Sequence, residues 1–166
     1  MVIIKCKKCS DGFHSNYLYN ALDYLHDKEK QLHLGGFGVD PYDLDKTYKQ
    51  MQFVKNYFHK TQENPLIHFI ISFGDEVRKY EKAKAYAVLI GAVFKCRYQL
   101  VWAVHQKKRG DSLFHIHIIM NSVSFVDGKL YDSSKENLSK FCDEVERITG
   151  TGCRYYFAGY YSTDDV

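Results

Sequence analysis

Two histidines separated by one apolar residue, His115-Ile116-His117, lie inside the apolar run Leu113–Asn121. In a strand successive side chains alternate faces, so His115 and His117 share one face while Ile116, Ile118 and Met120 point to the other. Two imidazoles on one face are half of a metal site. A third, His105, follows another strand-like run, Gln99–Val104, and the polar stretch Gln106–Asp111 between the two runs reads as a hairpin connection. An antiparallel hairpin brings His105 back beside His115 and His117, and three converging imidazoles suit a divalent transition metal. A single histidine on an apolar strand is ordinarily a core or surface residue. Two on one face with a third across a hairpin are harder to account for that way.

An ion held so keeps coordination positions open and polarises a phosphate or carbonyl oxygen. The group that then reacts is either water or a side-chain nucleophile, and Tyr24 is the candidate nucleophile. In the helix expected over its segment it lies about 100° from the centre of the Leu18, Leu22, Leu25 stripe, on a flank shared with Tyr17. Edging the core is the plainer role for both. A tyrosyl hydroxyl, with its pKa of about 10, is a weak nucleophile at neutral pH. It becomes useful where a metal stabilises the charge that develops on a phosphate. Lys107, Lys108 and Arg109 in the hairpin loop suit phosphate contacts with a nucleic-acid backbone, or else a solvated turn. His68 shares a face with Ile70 and Ser72 and is read as a residue behind the metal ligands that orients them, or else as a core histidine.

Holding these groups together requires a sheet, and the rest of the chain supplies one. Residues 2–6 read as a short strand, and Ser15 caps a helix running to about Lys30. Gly35-Gly36-Phe37-Gly38 reads as a loop, without the flanks of a phosphate-binding loop, so no nucleotide is assigned to it. Asp43 or Asp45 opens a second helix to about Lys60, and Leu66–Phe73 is a strand buried on both faces by its composition. Residues 76–94 are expected to form a third helix, followed by the histidine strands at 98–105 and 113–121. Phe125–Tyr131 reads as a small hairpin around Asp127-Gly128. Ser134 opens a final helix stopped at Gly150, and Arg154–Phe157 is a last strand. Strands paired antiparallel at the centre with helices interspersed make an α+β domain.

The 166 residues fit one domain, 1–166, with a sizeable core. A net charge of +3 permits a nucleic-acid partner without demanding one. Some of the 14 tyrosines could stack on bases, though most suit an amphipathic sheet. The start, Met1–Lys5, reads as a strand rather than a signal peptide, and no apolar run is long enough to span a membrane. A cytoplasmic location is expected. Five cysteines without a framework spacing, with Cys6-Lys-Lys-Cys9 lacking a second pair to complete a zinc site, read as reduced thiols.

Several segments taken in order resemble the MobP-type conjugative relaxases, mobilisation proteins within the HUH (histidine–hydrophobic–histidine) endonucleases. They are Ala21–Leu25 with Asp27–Lys30, His68–Phe73, Val104-His105, His115–Val123, Asp127–Tyr131 and Ser134-Lys135. The resemblance runs over roughly residues 15–150, with the tyrosine ahead of the histidine pair as in the family. It implies a central sheet of five antiparallel strands flanked by helices, with the histidine pair on a central strand. It implies strand-specific nicking and rejoining of DNA, single-stranded or supercoiled, at a plasmid or integrative-element transfer origin. Tyr24 matches the nucleophile that attacks the scissile phosphate and stays on the 5′ end. His105, His115 and His117 match the metal positions, filled by manganese or magnesium; imidazoles favour the former. Asn121 matches a recurrent position after the histidine pair, with a structural or substrate-contact role, and is grouped with His68 behind the ligands. Accessory nicking-complex proteins and a coupling protein are the implied partners.

Two departures stand out. Many relatives carry an acidic residue two positions after the first histidine, where this chain has Lys107; Asp111 is a possible substitute. The long region that usually follows the nuclease domain does not follow here. Two competing readings keep the fold: a rolling-circle replication initiator using Tyr156 and Tyr160, and a DNA-binding remnant without catalysis. A two-histidine phosphoesterase would need a second His-x-Thr or His-x-Ser motif, and only one His-x-His is present.

Overall fold

The computed structural model describes residues 1–7, 16–28, 31–106 and 113–158. Six strands form one sheet: β1 (Val2–Lys7), β2 (Gln31–Phe37), β3 (Leu66–Ser72), β4 (Leu100–Gln106), β5 (Phe114–Asn121) and β6 (Cys153–Ala158). Four helices interleave with them: α1 (Tyr17–Leu25), α2 (Leu44–Tyr57), α3 (Tyr80–Gly91) and α4 (Lys135–Thr149). The spatial order is β2-β4-β5-β3-β1-β6. All neighbours pair antiparallel except β1 and β6, which are parallel.

The α+β class is as expected, but the sheet is mixed and six-stranded rather than five antiparallel strands. The reason is the crossover through α4. A helix that carries the chain back along the sheet lets the next strand run parallel to the one before it. β5 is parallel in direction to β1, so β6 arrives parallel to its neighbour β1.

The sixth strand comes from the segment expected as a loop. Gly35 and Gly36 lie inside β2, paired with Trp102 and Val101 of β4. A Cβ on Gly35 would stand 2.4 Å from Trp102 Cζ2, and one on Gly36 would stand 2.6 Å from the Leu100 carbonyl oxygen. These glycines serve close approach within a sheet rather than turn formation. Of the three glycines in this stretch only Gly38, at φ 71°, uses a left-handed conformation.

The helix ends follow local chemistry. Asp43 caps α2 by accepting from Lys46 N at 2.9 Å, and Ser134 caps α4 by accepting from Asn137 N. Gly150 closes α4 in the left-handed region, φ 68°. Helix α3 is shorter than the expected 76–94, preceded by a 3₁₀ turn over Gly74–Glu76. Helix α1 ends at Leu25, ahead of the expected Lys30, while Ser15, Lys30 and Cys9 lie outside the described residues.

Two apolar layers clasp the sheet. One packs α3 and α4 through Ala83, Ala87, Ile90, Leu138 and Phe141 against Trp102, Val104, Ile116 and Ile118. The other packs α1 and α2 through Leu18, Leu22, Leu25 and Met51 against Val101, Ala103 and Ile119. The first layer buries the faces that alternate with the histidines. The second shares their face. Among the described residues no helix is long and apolar enough to cross a membrane.

Candidate active site

The two central strands bring the histidines together. In the β4–β5 register His105 stands opposite His115, and Ala103 opposite His117. Ring centroids lie 5.5 Å apart for His105–His115, 4.6 Å for His105–His117 and 5.0 Å for His115–His117. One nitrogen from each ring falls within 4.8 Å of the others. The three side chains are nearly enclosed, at 2%, 8% and 2% exposure.

The donor chemistry fits a divalent ion. His117 Nε2 is buried and takes no hydrogen bond among the described residues. Its other nitrogen, Nδ1, shares a hydrogen bond of 3.0 Å with His68 Nε2. Burial holds the His117 pKa well below the usual imidazole range, with His68, His105, His115 and Lys7 adding to the effect. The ring is therefore neutral at pH 7, the form in which imidazole is a ligand. His117 would hold an ion through Nε2, and its Nδ1–H would then donate the hydrogen bond to His68 Nε2, which would fix tautomer and ring orientation. His68 reaches this position because Ile70, two residues on along β3, pairs with His117.

Helix α1 delivers Tyr24. Leu18, Leu22 and Leu25 bury against the sheet, and Tyr24 sits half-buried on the helix flank. Its ring packs edge-on against His105 and His117, at centroid separations of 5.5 and 5.3 Å. His26 anchors the end of the helix, with Nδ1 2.7 Å from the Leu22 carbonyl and Nε2 2.9 Å from that of Pro41.

Asn121 lies on the same face of β5 but at its far end, in a different network. Its Nδ2 donates to Met51 O at 3.1 Å and to Gln99 Oε1 at 3.0 Å. Its Oδ1 accepts from Lys55 Nζ at 2.5 Å and Val123 N at 3.2 Å. Every partner joins α2 or the strand ends, so the side chain seals the seam between α2 and the sheet. Burial pushes the Lys55 amine down to about 7.

The loop cations Lys107, Lys108 and Arg109 lie outside the described residues, as do Asp111 and Tyr160. Tyr156 is on β6, an edge strand separated from β5 by β3 and β1. Two residues beside the site, His26 and Gln31, and one at the far end of β5, Lys55, carried no signal in the spacing of chemistry-bearing residues. His26 and Lys55 occupy helical positions that read as ordinary polar sites, and Gln31 begins a strand not expected from the glycine-rich sequence.

A family model described as relaxase, MobA/VirD2-like, nuclease domain, matches residues 17–151. That span includes α1 with Tyr24 and all three histidines. No curated protein matches the chain significantly.

Proposed function

The chain belongs to the MobA/VirD2-like relaxase nuclease family, and from that premise we propose that it nicks and rejoins one DNA strand at a plasmid or integrative-element transfer origin. Tyr24 is the nucleophile, and His105, His115 and His117 hold the divalent ion. The observation that carries this reading is the packing of the Tyr24 ring against two of the three clustered imidazoles.

When bound, a divalent ion supplies Lewis-acid polarisation of a phosphate oxygen. The protein does the rest. Tyr24 Oη forms a bond to the scissile phosphorus, and the bond from phosphorus to the 3′ oxygen breaks. The 5′ side remains on the tyrosine as a phosphodiester, and the departing 3′ oxygen takes up the equivalent of the proton that tyrosine loses. One ester replaces another, so no ATP is needed and the free 3′ hydroxyl can reverse the step. Manganese suits the all-imidazole donor set better than magnesium, which prefers oxygen ligands. Lys107, Lys108 and Arg109 are the proposed contacts to the phosphate backbone. Accessory proteins of a nicking complex and a coupling protein are the partners of such a step.

The replication-initiator reading loses support because Tyr156 lies on an edge strand away from β5. The test is covalent capture. The protein is incubated with a randomised single-stranded DNA library and Mn²⁺, and adducts are resolved on a denaturing gel. An adduct that disappears with chelator and in Tyr24→Phe, while DNA binding persists, is the expected result. An adduct surviving in Tyr24→Phe assigns another nucleophile. DNA binding with no adduct under any condition favours the non-catalytic remnant.

A further inference from the structure

β2 enters the sheet through an irregularity. Leu34 pairs with Ala103 and His33 with Val104, yet the next partner of β4, His105, is met by Gln31. Leu32 is the extra residue of a β-bulge. Regular pairing would have set Leu32 opposite His105. The bulge instead turns Leu32 outward, 46% exposed, and gives its place beside the histidine to a carboxamide. Bulges re-aim single side chains in this way and are common next to active sites.

The carboxamide is oddly placed for a merely structural residue. Gln31 Oε1 is buried and has no hydrogen-bond partner among the described residues. A buried acceptor without a donor is destabilising, and its retention calls for a group that arrives later. The main chain at this point is well tied: Gln31 N donates to Asp27 O at 3.0 Å, linking the first residue of β2 to the segment that follows α1 and Tyr24. Directly opposed residues on paired strands have Cβ atoms roughly 4.5–5.5 Å apart, so the register sets Gln31 within side-chain reach of the space beside His105.

We propose that Gln31 is a positioning residue of the ion site, its Oε1 accepting a hydrogen bond from the hydration shell of the divalent ion held by His105, His115 and His117. This rests on the reading of the three histidines as an ion site. Three neutral imidazoles leave the full charge of the ion uncompensated, which makes its waters strong hydrogen-bond donors. A buried amide oxygen on the residue paired with one ligand is the kind of acceptor such a shell needs. It also restricts where the shell can sit, and so which side of the ion a phosphate can approach.

The test reads Mn²⁺ affinity of the whole chain without DNA, through the electron paramagnetic resonance signal of free Mn²⁺. Gln31→Met keeps length and removes the acceptor; it is expected to weaken binding about tenfold, the lower end of outer-shell effects. Gln31→Glu keeps an acceptor and is expected to bind at least as tightly as the unaltered protein. Gln31→Met binding Mn²⁺ unchanged overturns the proposal. Gln31→Glu binding more weakly than the unaltered protein overturns it independently, whatever Gln31→Met does. An unaltered chain that binds no Mn²⁺ overturns the ion site itself, and this inference with it.

Discussion

Stability is expected to rise with pH between 7 and 9 because of one buried lysine. Lys55, on the buried side of α2, is 2% exposed, with its Nζ 2.5 Å from both Pro65 O and Asn121 Oδ1. Burial pushes its pKa from 10.5 down to about 7. Between those values the unfolded chain binds a proton that the folded chain does not, so unfolding becomes harder as pH rises. The cost of folding with this lysine is largest below pH 7, and it is relieved as pH climbs towards 10.5. From the two pKa values, the gain from pH 7 to pH 9 is about 2 kcal/mol. The assay is urea denaturation of the unaltered protein and of Lys55→Met across that range. Subtracting the two removes every other titrating group. A difference that stays flat from pH 7 to 9 would refute the account, showing that the two carbonyl acceptors keep the ammonium charged in spite of burial. The consequence reaches the site, since Asn121 ends the strand that carries His115 and His117.

Two further perturbations probe the centre and its scaffold. His68→Ala removes the partner of His117 Nδ1, and Mn²⁺ affinity is expected to fall 10- to 100-fold, roughly the range for residues behind a metal ligand; unchanged titration calorimetry would show that His117 orients itself. Gly35→Ala places a Cβ 2.4 Å from Trp102 Cζ2 and is expected to cost about 1–3 kcal/mol as overpacking. An unchanged denaturation midpoint would mean that the indole moves aside freely.

Features governed by local rules were legible in the chain. The shared face of His115 and His117 follows from strand alternation alone, and the return of His105 follows from a short connection between two apolar runs. Ser134, Asp43 and Gly150 marked helix ends through chemistry confined to one turn. The flank position of Tyr24 followed from helical periodicity. That its ring meets His105 and His117 did not, because the separation of more than 80 residues is closed only by α1 packing on the sheet.

Elsewhere local rules pointed away from the outcome. Gly35 and Gly36 resemble turn residues until Trp102 is set against them, and a large indole from another strand is invisible in a glycine-rich stretch. The parallel pairing of β6 depends on the crossover through α4, which no property of residues 153–158 encodes. Lys55 reads as an ordinary polar residue and Asn121, by resemblance, as a residue behind the ligands; only the docking of α2 joins the two across 66 positions. Gln31 is set opposite His105 by a one-residue irregularity in pairing. By itself the sequence determined which residues could do chemistry and which face of its own element each occupies, because those depend on periods of 2 and 3.6 residues. The tertiary structure alone decided which of them meet, because strand order, register and helix docking arise from contacts between segments far apart in the chain.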